Sequence, residues 1–176
     1  MLKPYKSAIK DIAVIFAHVG TREDRGNRVY AIAANLLSLN QSSRTFESFI
    51  QYSYLTARDR YYSNVSKETL ANAPDAQTVF SQFKNFLKDA DIVLTLPYQD
   101  SHEEVRKIFP DKRIVDLGFA GEFFLPHVDS FSPKRLWEYL YKQERKRIYF
   151  SVAEIVALSI DLIENICGNA LNDGKL

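Results

Sequence analysis

Residues 11–21, DIAVIFAHVGT, decide the fold of this chain. Within them, residues 12–17 form a continuous apolar run with β-branched side chains, short enough to be a buried strand. The polar, glycine-containing segment 20–28 follows and predicts a turn. Segments 28–39 and 44–52 then read as two further strands, joined by a short polar hairpin connection. The beginning of the chain therefore predicts an antiparallel three-stranded unit.

The rest of the chain alternates between helices and strands. Ser66 is the predicted N-cap of a short helix, and two more strands are predicted over 90–96 and 113–116. The other predicted helices span 76–87, 101–109, about 119–125, 133–142 and 150–166. This order predicts an α/β fold of RNase H type. We expect a mixed sheet of about five strands, three antiparallel then parallel, flanked by helices.

Length and composition are those of an ordinary globular domain. The chain has 176 residues, of which 46% are hydrophobic and 26% charged. We expect a single domain over 1–167, followed by a polar tail or the start of a linker at 168–176. A net charge of +1 gives no overall attraction to nucleic acid or to an acidic membrane, so any such binding needs a local patch.

Cysteine content and hydropathy bear on location. The single cysteine, Cys167, excludes an internal disulfide framework and a cysteine-based zinc site, and it fits a reducing compartment. The sequence has no apolar signal core and no run near the roughly 20 apolar residues that a membrane span needs. We therefore expect a cytoplasmic protein with no membrane partner.

The order of local motifs resembles the DnaQ-like (DEDD, RNase H-type) 3′-to-5′ exonuclease family over roughly residues 10–166. AVIFAHVGT and then RVYAIAA stand in the order of the family's first two strands. The most specific match is 64–74, NVSKETLANAP, which resembles the family's Gly-Ile-Thr-x-Glu-x-Leu-x-x-Ala-Pro segment. Segments 115–126 and 132–136 resemble later family elements. The resemblance is closest to the epsilon subunit of DNA polymerase III and to the exonuclease domain of DinG-type helicases.

The resemblance implies chemistry that this sequence does not support at the first motif. The family hydrolyses phosphodiesters with two Mg²⁺ or Mn²⁺ ions held by three Asp and one Glu, while a His or Tyr positions the attacking water. A register through Gly20 and Thr21 places Ile15 and Ala17 where the family has Asp and Glu. A shift of one residue gives no carboxylate either. The same apolar residues would also suit any buried strand, so the functional interpretation depends on the resemblance.

The other two motifs are also degenerate. The second falls on 95–100, where Thr95 stands at the first position and Asp100 alone remains as an acid. The third falls on Phe150 and Ile155, or on Tyr149 and Glu154 after a shift of one residue. At best Asp100 and Glu154 survive, so no metal cofactor is expected. Ser101, His102 and Glu103 are interpreted as a solvated helix start.

One basic cluster is interleaved with aromatic residues, a combination typical of surfaces that bind single strands. A solvated helix face explains the same charges equally well. The candidate nucleic-acid-binding residues are Lys142, Arg145, Lys146, Arg147 and Tyr149.

Three functions follow as hypotheses. The first is a catalytically degenerate exonuclease-like domain that binds single-stranded DNA or RNA, or a replication or repair protein, or a helicase domain in the same longer chain. The second is a weakly active, metal-dependent 3′-to-5′ exonuclease. The third is a protein interaction module without nucleic-acid binding.

Overall fold

The computed structural model describes residues 13–21, 29–38, 41–52, 57, 65–88, 90, 92–96, 101–125, 127–146 and 150–172. The strands in this part of the chain are β1 (Ala13–Thr21), β2 (Val29–Ser38), β3 (Gln41–Phe49), β4 (Ile92–Thr95) and β5 (Arg113–Asp116). The helices are α1 (Lys67–Ala71), α2 (Ala76–Phe86), α3 (Ser101–Ile108), α4 (Leu117–Phe124), α5 (Pro133–Tyr141) and α6 (Val152–Asn172).

The strands form a sheet with β1 at its centre, in the order β3-β2-β1-β4-β5. The β1–β2 and β2–β3 pairs are antiparallel, whereas the β1–β4 and β4–β5 pairs are parallel. Parallel strands point the same way, so the carboxyl ends of β1, β4 and β5 share one edge of the sheet. At that edge, Thr95 of β4 is the register partner of Asp116 of β5. This edge is where helices α3 and α4 begin.

Helices cover both faces of the sheet, and each face has its own hydrophobic core. The α2-side core includes Ile32, Ala34, Leu36, Val79, Phe83 and Val93. The α6-side core includes Ala31, Ala33, Leu96, Leu136, Phe150, Ile155 and Leu162. From Ala31 to Leu36, the even-numbered core residues of β2 thus pack toward α2 and the odd-numbered ones toward α6, as the twofold alternation of a strand requires. Burial on both faces explains why the first six residues of β2, 29–34, are all apolar or aromatic.

The predicted α/β architecture is confirmed, and so is the predicted helix start at Ser66. The Ser66 hydroxyl accepts a hydrogen bond from the backbone N–H of Thr69 at 3.0 Å, which caps α1. Strand β3 differs from the prediction, because it begins at Gln41 and ends at Phe49. Gln41 pairs with Ser38 in the ladder. Ladder bonds use backbone groups, so polar side chains do not exclude these residues from a strand.

The last helix differs from its predicted bounds of 150–166, because α6 begins at Val152 and continues to Asn172. Each residue added to an existing helix gains a backbone hydrogen bond, so the helix can extend without further apolar residues. Gly168 lies inside this helix in open space.

Within the described residues, no helix combines the length and the apolar character needed to cross a bilayer.

Candidate functional site

The backbone register places the two first-motif positions beside the α2-side core. In β1, Ile15 pairs with Leu36 of β2 and with Val93 of β4, and Ala17 pairs with Ala34 of β2. All three partners pack in the α2-side core. The alignment of the first motif through Gly20 and Thr21 therefore puts the expected acids at Ile15 and Ala17, whose partners on the neighbouring strands pack toward α2.

An alignment of the first motif shifted by one residue puts the expected acids at positions whose partners pack toward α6. Phe16 pairs with Leu94, which contacts the α6-side core, and His18 pairs with Ala33, which belongs to it. The sequence of β1, Ala13–Thr21, contains no Asp or Glu at all. Neither register therefore supplies a carboxylate ligand from this strand.

At the carboxyl end of β4, Thr95 is fully buried and bonded to a histidine. The Thr95 Oγ1 lies 2.8 Å from His102 Nδ1, and Arg106 lies 3.0 Å from His102 Nε2. A guanidinium can only donate, so Nε2 accepts and Nδ1 carries the proton that His102 donates to Thr95. His102 thus connects α3 to the end of β4.

This arrangement corrects the interpretation of His102 as part of a solvated turn, because the side chain is half-buried. The available signal was a polar residue, Thr95, at the end of an apolar strand, since such a residue needs a partner when buried. Asp100, the predicted remnant of the second motif, lies outside the described residues.

The third-motif positions are part of the core. Phe150 is 4% exposed and Ile155 is 1% exposed, and both pack in the α6-side core. Glu154 forms a reciprocal cap with Ser151 at the start of α6. Its carboxylate accepts from the Ser151 N–H at 2.8 Å, while the Ser151 hydroxyl accepts from the Glu154 N–H at 3.2 Å. The start of α6 is therefore built for packing and capping.

Arg145 completes this arrangement. Its guanidinium donates to the Glu154 carboxylate at 2.7 Å and lies 4.0 Å from the centre of the Phe150 ring and 4.6 Å from that of Trp137. The Arg145 side chain is only 11% exposed. Its positive charge therefore lies against Phe150 and Glu154, two of the residues on which the third motif of the family falls.

Of the other residues of the predicted basic cluster, two are described by the structure and two are not. Lys142 and Lys146 are exposed. Lys142 ends α5 in the left-handed conformation, with φ of 53°, and its Nζ lies 4.3 Å from the centre of the Tyr139 ring. Arg147 and Tyr149 lie outside the described residues. The structure therefore brings Arg145 and Glu154 together and leaves two predicted lysines open to solvent.

Tyr141, beside these lysines, is anchored by its hydroxyl. It donates a hydrogen bond to the Asp161 carboxylate, which ties the end of α5 to α6. Burial and this carboxylate raise the pKa of Tyr141 to about 12. Its ring stays neutral at physiological pH and packs against Trp137, with 4.4 Å between ring centroids.

Partial burial alone would raise the pKa of Glu154, but its hydrogen bonds to Ser151 and Arg145 outweigh burial and hold that pKa below the ordinary value of 4.5. A carboxyl with a lowered pKa in the folded state stabilises the fold above its unfolded pKa, and this contribution is lost as pH falls through the folded value. We expect Glu154→Gln to flatten the fall of melting temperature between about pH 5 and about pH 3. Glu164→Gln, an exposed change on the same helix, is the control and should leave the profile unchanged.

The described residues at the three motif positions offer few anionic oxygens for a two-metal site. Such a site needs several anionic oxygen ligands, whereas β1 offers none and Glu154 already pairs with Arg145. In the part of the chain that the structure describes, no three His, Cys, Asp or Glu side chains are grouped so that they could hold a metal ion.

Comparison of the sequence with known proteins finds no relative, whereas comparison of the structure finds similar folds. No protein-family model matches the sequence, and no curated protein does. The chain is similar to E. coli exonuclease I in complex with a dA16 oligonucleotide, with a TM-score of 0.67 and 11% identity over 92% of this chain and 42% of that one. It is similar to exonuclease X in complex with 5′-overhanging duplex DNA, with a TM-score of 0.63 and 10% identity over 89% of this chain and 92% of that one.

A third similar structure is a 3′-exonuclease that recognises the histone mRNA stem-loop at its 3′ end. It has a TM-score of 0.61 and 12% identity over 92% of this chain and 82% of that one. This chain spans less than half the length of exonuclease I. At these identities the likeness concerns the fold, and the chain therefore has the DnaQ-like fold of these 3′-exonucleases.

Proposed function

We propose that this chain is a binding domain built on a 3′-exonuclease fold, that it does not hydrolyse phosphodiesters, and that its ligand is single-stranded nucleic acid. The observation that carries the proposal is the start of α6. There Phe150 and Ile155 pack in the core, and Glu154 pairs with Arg145. Both oxygens of the Glu154 carboxylate are already engaged, one by the Arg145 guanidinium and the other by the Ser151 N–H, so a metal ion would have to compete with these partners.

Two features support nucleic acid as the ligand. Lys142 and Lys146 are exposed, and the Lys142 Nζ lies over the Tyr139 ring, while Tyr141 is 37% exposed. Cations next to aromatic faces suit single strands, because the cations meet phosphates and the rings stack on bases. In addition, E. coli exonuclease I, of similar fold, is found with a dA16 oligonucleotide.

Loss of hydrolysis is tested with a 5′-labelled single strand incubated with the protein and Mg²⁺ or Mn²⁺. We expect no shortening from the 3′ end, because the described site has too few carboxylates to bind two metals. A calorimetric titration with Mn²⁺ should show no saturable heat. The proposal is wrong if the labelled strand is shortened in a metal-dependent way, if this activity copurifies with the protein, and if Asp100→Ala abolishes it. That result would establish the weakly active exonuclease.

Binding is tested by fluorescence anisotropy of a labelled oligonucleotide at several salt concentrations. We expect the double change Lys142→Gln and Lys146→Gln to weaken binding and to reduce the salt slope by about 0.7 per lost phosphate contact. The matched control is Lys67→Gln with Lys84→Gln, which removes two exposed charges from α1 and α2. Equal losses in the two double variants would show a non-specific charge effect and would contradict the proposed surface.

A further inference from the structure

A cavity of about 550 Å³ lies outside the surface discussed so far, at the carboxyl end of β5. It opens between the first turns of α4 and the segment that leads into α5. Crevices at the carboxyl ends of parallel strands are frequent ligand sites in α/β sheets. The described residues that define its chemistry are Asp116, Phe119, Glu122, Asp129, Ser130 and Ser132.

The charge of this cavity is negative. Asp116, Glu122 and Asp129 contribute carboxylates, and none of the described residues lining the cavity is basic. Asp116 uses Oδ1 to accept from the N–H groups of Gly118 and Phe119, at 2.7 and 3.4 Å. A carboxylate has further acceptor positions on its other oxygen. The carboxylates of Glu122 and Asp129 belong to exposed residues and can pair with an incoming cation.

An exposed aromatic ring stands beside these carboxylates. Phe119 is 79% exposed, while its neighbours Leu117 and Gly118 are buried. Helix α4 therefore packs with one side and presents a phenyl ring on the other. A large apolar side chain in water next to a cavity is a feature of binding surfaces. The ring also offers a π-face for a cation, and Arg uses such faces readily.

We infer that this cavity docks a basic peptide segment of a protein partner. An Arg or Lys side chain of the segment pairs with Glu122 and Asp129, and an adjacent apolar or guanidinium group covers Phe119. Charge complementarity selects this occupant, since three carboxylates repel the phosphates of nucleic acid. The site shares no residue with the lysines of the proposed nucleic-acid surface.

The test is selection of a random dodecapeptide display library on the whole chain. We expect the enriched peptides to carry Arg or Lys next to an apolar residue. Synthetic copies should bind at least tenfold more weakly to Phe119→Ser and to the double variant Glu122→Lys with Asp129→Lys. The matched control is Glu103→Lys with Glu144→Lys, two exposed acids elsewhere, which should change affinity less than twofold.

The inference is overturned by the absence of enrichment, by enrichment of acidic or uncharged peptides, by equal binding to the cavity variants, or by a concentration-dependent dimer that Phe119→Ser abolishes. Loss of oligonucleotide binding in Phe119→Ser would assign the cavity to nucleic acid and would also overturn it. Melting curves verify that each variant is folded. The Lys142 and Lys146 variants test the proposed nucleic-acid surface and leave the cavity unchanged, so the two proposals can fail separately.

Discussion

Gly121→Ala should lower the free energy of unfolding by about 2 to 3 kcal/mol. A Cβ at this position would lie 2.2 Å from Cε1 and 2.6 Å from Cζ of Phe131, far inside van der Waals contact. The Phe131 ring is 9% exposed and packs in the α6-side core, so it cannot move aside freely. Thermal melting should show a decrease of roughly 5 to 10 °C for a chain of this length.

Gly168→Ala is the matched control because it makes the same chemical change in another helix. A Cβ there meets nothing within 4 Å. Alanine is favoured over glycine in a helix by about 1 kcal/mol, so this variant should be more stable than the parent chain. Replacing Phe131 by Leu in the Gly121→Ala background should recover part of the loss, since the two positions are in contact. If Gly121→Ala melts with or above the parent chain, α4 does not pack on Phe131 as described.

Arg145→Ala should lower the free energy of unfolding by roughly 2 kcal/mol. The change removes the charged hydrogen bond to Glu154 and the contacts of the guanidinium with the Trp137 and Phe150 rings. The Glu154 side chain is 42% exposed, so water screens part of the ion pair and the loss stays below that of a fully buried pair. Urea denaturation measures the effect.

Lys146→Ala is the control for Arg145→Ala because it removes a neighbouring but exposed cation. Its effect on stability should stay within about 0.5 kcal/mol. In the oligonucleotide assay the order should reverse, with Lys146→Ala weakening binding more than a folded Arg145→Ala. A stable Arg145→Ala that loses oligonucleotide binding would show that the guanidinium serves the ligand.

The sequence pattern predicted the elements that depend on local periodicity and capping. The apolar run in β1 and the cap at Ser66 are of this kind, because each is decided by residues close together in the chain. The predicted α/β class follows from the order of such elements.

The details of the site could not be predicted in the same way. Arg145 stands among several cations in the sequence, and only packing shows that it lies between Trp137 and Phe150 and pairs with Glu154. The bond between Thr95 and His102 likewise depends on how α3 approaches the end of β4. The cavity beside Phe119 combines residues from the end of β5, from α4 and from the segment before α5. Long-range side-chain contacts of this kind leave no periodic trace in a sequence.

The placement of Phe150 and Ile155 in the core bears on how the fold is maintained. A protein that binds ions only in its folded state gains stability from them by mass action, and this gain varies with ion concentration. Apolar contacts at these two positions are present under all ionic conditions. The stabilisation that Phe150 and Ile155 contribute is therefore a matter of packing, and it does not vary with the concentration of divalent ions.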